Sequence, residues 1–113
     1  LLPYINDSPE NVAAIVDMAG KAGCMGIICF DMGLTLRNGD REHYYSALER
    51  HFPGLRERYI REYGDAYMLT SPNAAKLWRV FVTECRSRGI EYRTDAVFDF
   101  MRRLEESEQL TLF

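Results

Sequence analysis

The sequence predicts an α/β fold that is mostly helical, and three observations carry that reading. Two short apolar runs, Leu1–Ile5 and Gly26–Phe30, read as strands buried on both faces. Longer segments repeat apolar residues at helical spacing, before and after the second run. That run stops abruptly at Phe30 and gives way to a polar, glycine-containing loop, Asp31–Arg37. In α/β proteins ligands sit outside the carboxyl ends of such strands, so this loop occupies the position where function is expected.

The elements follow in order. Asn6-Asp7-Ser8-Pro9 ends the first strand and opens a helix, with Ser8 as N-cap and Pro9 at the first helical position, where a missing N–H costs nothing. Val12, Ile15, Val16 and Ala19 form its stripe, and Gly20 or Gly23 closes it. Strand, helix and strand make one right-handed βαβ unit. Asp40 caps a second helix with Tyr44, Tyr45 and Leu48 on its apolar face, broken at Phe52-Pro53-Gly54. Leu55, Tyr59 and Tyr63 mark a third, shorter helix ending at Gly64. Ser71-Pro72 repeats the start signal before the strongest stripe, Ala74, Leu77, Trp78, Phe81, Val82 and Cys85, which Gly89 ends. Thr94 caps a last helix carrying Val97, Phe98, Met101 and Leu104. Glu105, Glu106 and Glu108 then lead into a tail, Gln109–Phe113. Three parts result: an α/β part over 1–39, a helical extension over 40–104 and a tail over 105–113.

The 113 residues suit one domain, and 47% hydrophobic content argues against disorder. A net charge of −3 excludes a chain that binds nucleic acid by bulk electrostatics. No apolar run approaches the ~20 residues of a membrane span, and no signal peptide is visible. Three irregularly spaced cysteines give no disulfide framework, so the cytoplasm is the expected compartment. The chain opens at Leu1 inside an expected strand, which reads as a piece of a longer protein. Two strands leave sheet edges uncovered, so neighbouring strands or self-association are expected to cover them.

Cys24, Cys29 and Cys85 match no metal-ligand spacing, and structural roles are expected for them. His43 and His51 lie two helical turns apart with no third ligand nearby, as on a solvated helix face. Arginines and tyrosines interleave from Arg37 to Tyr63, the composition of a phosphate-contacting, base-stacking surface. The acids among them nearly cancel the charge, and ordinary helix-surface ion pairs are the expected outcome. In the Asp31–Arg37 loop, Asp31 would face a cleft, Gly33 would allow close backbone approach, and Arg37 would clamp an anion. The tail, with two Leu and a final Phe, has the form of an extended peptide that fills pockets with alternate side chains.

Leu1-Leu2-Pro3-Tyr4-Ile5-Asn6-Asp7, followed by a helix and Gly26-Ile27-Ile28-Cys29-Phe30-Asp31-Met32-Gly33-Leu34-Thr35-Leu36-Arg37, resembles the late barrel of radical S-adenosylmethionine proteins. The branch is the one related to spore photoproduct lyase and labelled DNA repair photolyase-like. The resemblance continues through His51-Phe52-Pro53-Gly54-Leu55, Tyr63-Gly64 and Ser71-Pro72-Asn73. It implies the last two βα units of a partial (β/α)6 barrel plus a C-terminal helical extension. It also implies a 4Fe–4S cluster on a C-x₃-C-x₂-C loop, cleaving S-adenosylmethionine to a 5′-deoxyadenosyl radical. Transferred by position, Asn6 and Asp7 after the fifth strand, with Phe30, Met32, Gly33 and Arg37 after the sixth, would line the cofactor pocket. This sequence has no C-x₃-C-x₂-C, so the cluster is expected in a missing N-terminal barrel half and not in this chain. The end of the chain separately resembles the Gln-Leu-x-Leu-Phe peptide that docks replication and repair proteins on the DNA sliding clamp. That likeness implies a partner site at Gln109, Leu110, Leu112 and Phe113.

Overall fold

The computed structural model describes the backbone of residues 1–112 and the side chains of residues 1–110. Its elements run α1 (Pro9–Lys21), β1 (Gly33–Thr35), α2 (Asp40–His51), α3 (Leu55–Tyr63), β2 (Met68–Thr70), α4 (Ala74–Ser87) and α5 (Thr94–Leu112). The chain is therefore mostly helical with a small sheet. The helices start and stop largely where local chemistry directs. Ser8 Oγ accepts the Asn11 N–H at 3.1 Å, with Pro9 at the first helical position. Gly64 and Gly89 close α3 and α4 with φ of 55° and 67°, a backbone region that side chains disfavour. Asp40 is the first residue of α2 and not its cap; Gly39 holds that position without a side-chain bond.

The strands are where the structure departs from expectation. Leu1–Ile5 is a turn: the Ile5 and Asn6 N–H groups both donate to the Leu2 carbonyl at 3.1 Å. Gly26 makes only an isolated parallel bridge to Glu91. No βαβ unit forms among the described residues. An apolar run becomes a strand only when a neighbour supplies a ladder. Here the Ile27 N–H donates to the Glu91 carbonyl at 2.9 Å, and Ile27 and Cys29 pack on a helical core. The sheet is β1 against β2, antiparallel, pairing Gly33 with Thr70, Leu34 with Leu69 and Thr35 with Met68. Part of the expected loop Asp31–Arg37 is thus strand.

Two cores result. Val12 and Val16 of α1 pack on Leu77, Phe81 and Cys85 of α4, with Met32 and Ile90 completing the cluster. Leu36, Tyr45, Leu48, Tyr59 and Leu69 form the second. Val97 anchors α5 against Gly26, where an added Cβ would lie 2.8 Å from Val97 Cγ2. The rest of the stripe on α5 is not core: Phe98, Met101 and Leu104 are all more than two-fifths exposed. α5 also continues through Leu112, so the expected tail is helical over 105–112. Glu, Gln and Leu are good helix formers, and no Gly or Pro interrupts them. Phe113 lies outside the described residues.

Candidate functional site

The turn that links β2 to α4 collects two of the segments singled out by the sequence. It is built locally by Ser71, whose Oγ accepts the Asn73 N–H at 3.1 Å while its carbonyl accepts the Ala74 N–H at 3.0 Å. The Ser71 N–H donates to the Met32 carbonyl at 2.8 Å, fixing the turn to the segment that precedes β1. Ser71 is buried, and its hydroxyl donates to Asp7 Oδ2 at 2.5 Å. The neighbouring Thr70 hydroxyl donates to Asp31 Oδ2 at 2.9 Å. Two carboxylates from distant loops are therefore held by two consecutive hydroxyls. Each hydroxyl offers one donor, and a carboxylate is an acceptor only, so the pairing is chemically matched. Tyr63 Oη adds a bond to the Thr70 carbonyl at 2.6 Å.

Gly33 belongs to this arrangement for a steric reason. A Cβ there would lie 2.3 Å from the Leu69 carbonyl oxygen, so only glycine lets β1 approach β2 this closely. An open groove of about 280 Å³ runs along β1, bounded by Phe30, Asp31, Gly33, Thr35 and Met68. Phe30 is 78% exposed, an aromatic face offered to solvent beside the Asp31 carboxylate. A smaller apolar groove of about 160 Å³ lies between α1 and this segment, with Ile15, Ile28 and Cys29 in its wall. Burial pushes the Cys29 thiol above its usual range, which disfavours a reactive thiolate.

The N-terminal turn rests on a cluster of tyrosines. Tyr59 is fully buried; its hydroxyl donates to the Pro3 carbonyl and accepts from Tyr44 Oη at 3.0 Å. The Tyr4 and Tyr59 rings meet edge to face at 5.9 Å, and the Arg58 guanidinium stacks 3.8 Å over Tyr4. Tyr4 carries φ of 63°, a left-handed backbone rare outside glycine, so these contacts hold a strained residue in place. Burial raises the Tyr44, Tyr45 and Tyr59 phenols, and pushes Tyr63 up to about 12. The phenols are neutral hydrogen-bonding scaffolds at ordinary pH.

The residues marked by the sequence are thus distributed. Asn6 shapes its own turn, with Oδ1 accepting the Leu2 N–H at 2.6 Å and its carbonyl accepting from Asn11 Nδ2 at 2.9 Å. Asp7 and Asp31 meet the Thr70–Ser71 turn, while Phe30 and Gly33 border the groove beside it. Met32 is core, 4% exposed. Arg37 is exposed beyond the far end of β1, where a bond to Tyr67 raises its already high pKa. The sequence did not mark Thr70, Ser71 and Tyr63 as site residues: Ser71-Pro72 stood as a helix start and, with Tyr63-Gly64, as part of the resemblance, and nothing local marks the distant carboxylates.

Other candidates resolve as scaffold or surface. Cys85 is buried, Cys24 exposed, and no group of three or more His, Cys, Asp or Glu suited to a metal ion exists among the described residues. His43 and His51 are exposed. Between Arg37 and Tyr63 the expected helix-surface ion pairs do not form among the described residues; the salt bridges lie elsewhere, such as Lys21 to Asp17 at 2.8 Å. Arg41 instead donates to the Asp65 and Ala66 carbonyls at 2.7 and 3.1 Å. No helix is long and apolar enough to cross a membrane among the described residues. Compared with known proteins, the chain matches no family model, no curated protein and no solved structure.

Proposed function

We propose that this chain is the C-terminal portion of a radical S-adenosylmethionine enzyme of the spore photoproduct lyase-related branch, contributing one wall of the pocket. The resemblance of residues 1–7 and 26–37 motivates the reading. One observation supports it: Asp7 and Asp31, which the resemblance places after successive barrel strands, converge on Thr70–Ser71. The chain does not fit the iron–sulfur cluster. Its three cysteines are one exposed, one half-buried and one fully buried, with no partner donors gathered among the described residues. In this reading the cluster is held by the N-terminal barrel half. S-adenosylmethionine, when bound, supplies the group that abstracts hydrogen from the substrate. The Phe30 ring offers a stacking face, and Asp31 an acceptor oriented by Thr70. A cytoplasmic setting and a DNA-linked role accompany the proposal.

The test uses the longer protein, reconstituted anaerobically with iron and sulfide and then reduced. Formation of 5′-deoxyadenosine is the expected result. An upstream sequence without three clustered cysteines would sink the reading, as would a loaded cluster that leaves S-adenosylmethionine intact.

A second reading is an interaction module that docks on the DNA sliding clamp through Gln109, Leu110, Leu112 and Phe113. Its support is Leu110, 80% exposed near the end of α5. The docking peptide would be extended, so the last turns of α5 must unwind, and the described side chains there, residues 101–110, are exposed. Replacing Leu112 and Phe113 by Ala should cost about 2 kcal/mol of clamp binding in calorimetry. Equal affinity of the variant and the parent would end this reading.

A further inference from the structure

We infer that the consecutive hydroxyls of Thr70 and Ser71 form a latch that couples the N-terminal turn (residues 2–7) to the segment around Asp31, so that the two open and close as one unit. The geometry is specific. Ser71 holds Asp7 at 2.5 Å, and Thr70 holds Asp31 at 2.9 Å. The backbone between them has no slack: the Ser71 N–H is bound to the Met32 carbonyl at 2.8 Å, and Gly33 is pressed against Leu69 and Thr70. Moving Asp31 therefore pulls on the same turn that holds Asp7.

The N-terminal turn is the weaker partner and the one poised to move. Tyr4 sits at φ 63°, and such strain persists only while surrounding contacts over-determine it. Those contacts are the Tyr59–Pro3 bond, the Arg58–Tyr4 stack and the Asp7–Ser71 bond. Loss of the Asp7 anchor would let the strained turn relax. A contiguous network with one strained and one packed end can carry coupling between two loops. The inference rests on the proposed pocket only for its purpose: a ligand that engages Phe30 or Asp31 would also order the turn bearing Asp7.

Amide hydrogen exchange on this chain tests the coupling without any cofactor. Ile5 and Asn6 report the N-terminal turn, since both amides donate to Leu2. Thr70 is exposed and contacts neither residue through a hydrogen bond, so Thr70→Val removes one hydroxyl while conserving shape. It should speed exchange at Ile5 and Asn6 by about fivefold, the lower end of ordinary coupling. Ser71→Ala should do the same at Leu34, while Ser71→Thr, which keeps the hydroxyl, should restore protection. The double variant should add little to either single one. Exchange at Ile5 and Asn6 that is unchanged in Thr70→Val, or fully additive effects in the double variant, overturns the latch. Failure of the radical-enzyme reading leaves these outcomes unaffected, because they are read on the chain alone.

Discussion

At the scale of single residues, Tyr59 sits at the centre of the tyrosine cluster. It is fully buried and bonded at its hydroxyl to Pro3 and Tyr44, with the rings of Tyr4, Tyr44, Tyr45 and Tyr63 around it at 5.6–6.4 Å. Tyr59→Phe keeps the packing but leaves the Pro3 carbonyl without its donor, and should destabilise the fold by about 1–2 kcal/mol in urea titrations. A variant as stable as the parent would show that water replaces the phenol. Gly33 is the second residue at this scale. Gly33→Ala drives a methyl into the Leu69 carbonyl and should cost about 1–3 kcal/mol, with loss of β1–β2 pairing seen in amide exchange. The sequence marked Gly33 for close approach but pointed it at a ligand; the neighbour is backbone of β2.

At the scale of elements, the packing of α1 on α4 is what holds the first core. Leu77 is fully buried in that cluster, beside Val12 and Val16. Leu77→Ala should cost about 2–5 kcal/mol in thermal or chemical unfolding, the range for a buried leucine that leaves a cavity. Ile15→Ala, on the same helix as Val16 but half-exposed, should cost much less. These helices were legible because their signals are local. Ser8-Pro9 opens α1, Gly89 follows α4, and the stripe from Ala74 to Cys85 has one periodicity. The strands were not legible. Ile27 and Ile28 have the composition of a buried strand, yet Gly26 meets only Glu91. Leu34 and Leu69 carry too short a pattern to announce the pair they make.

At the scale of the whole molecule, the two cores and the projecting α5 give an elongated body. Its extents are 56 × 32 × 21 Å and its radius of gyration 17.7 Å, against the ~13 Å expected of a compact chain of this length. With little of α5 buried beyond Val97, stability must come from the two cores, and the second is rich in buried phenols. That sets an alkaline limit. Burial raises Tyr44, Tyr45, Tyr59 and Tyr63 above the ordinary value of about 10, with Tyr63 up to about 12. Protons are then held more tightly folded than unfolded, so this stabilisation is complete below about pH 10 and lost as pH rises through the folded values. Melting temperature should fall steeply from about pH 10 upward, together with a delayed rise of phenolate absorbance. Phenols that all ionise at about pH 10 in the still-folded protein would contradict the buried cluster.

The sequence by itself determined where the helices lie and the start of α1, because a helix satisfies its backbone within four residues and is capped by its immediate neighbours, but not the cap of α2 or the end of α5. It also marked Asp7 and the segment around Asp31 as places of interest. Only the tertiary structure decided which runs pair as strands, and that Asp7 and Asp31 are held by Ser71 and Thr70, partners 64 and 39 residues away along the chain. Ladders and hydroxyl–carboxylate pairs are made between segments that share no local signal, so their partners exist only once the chain has folded.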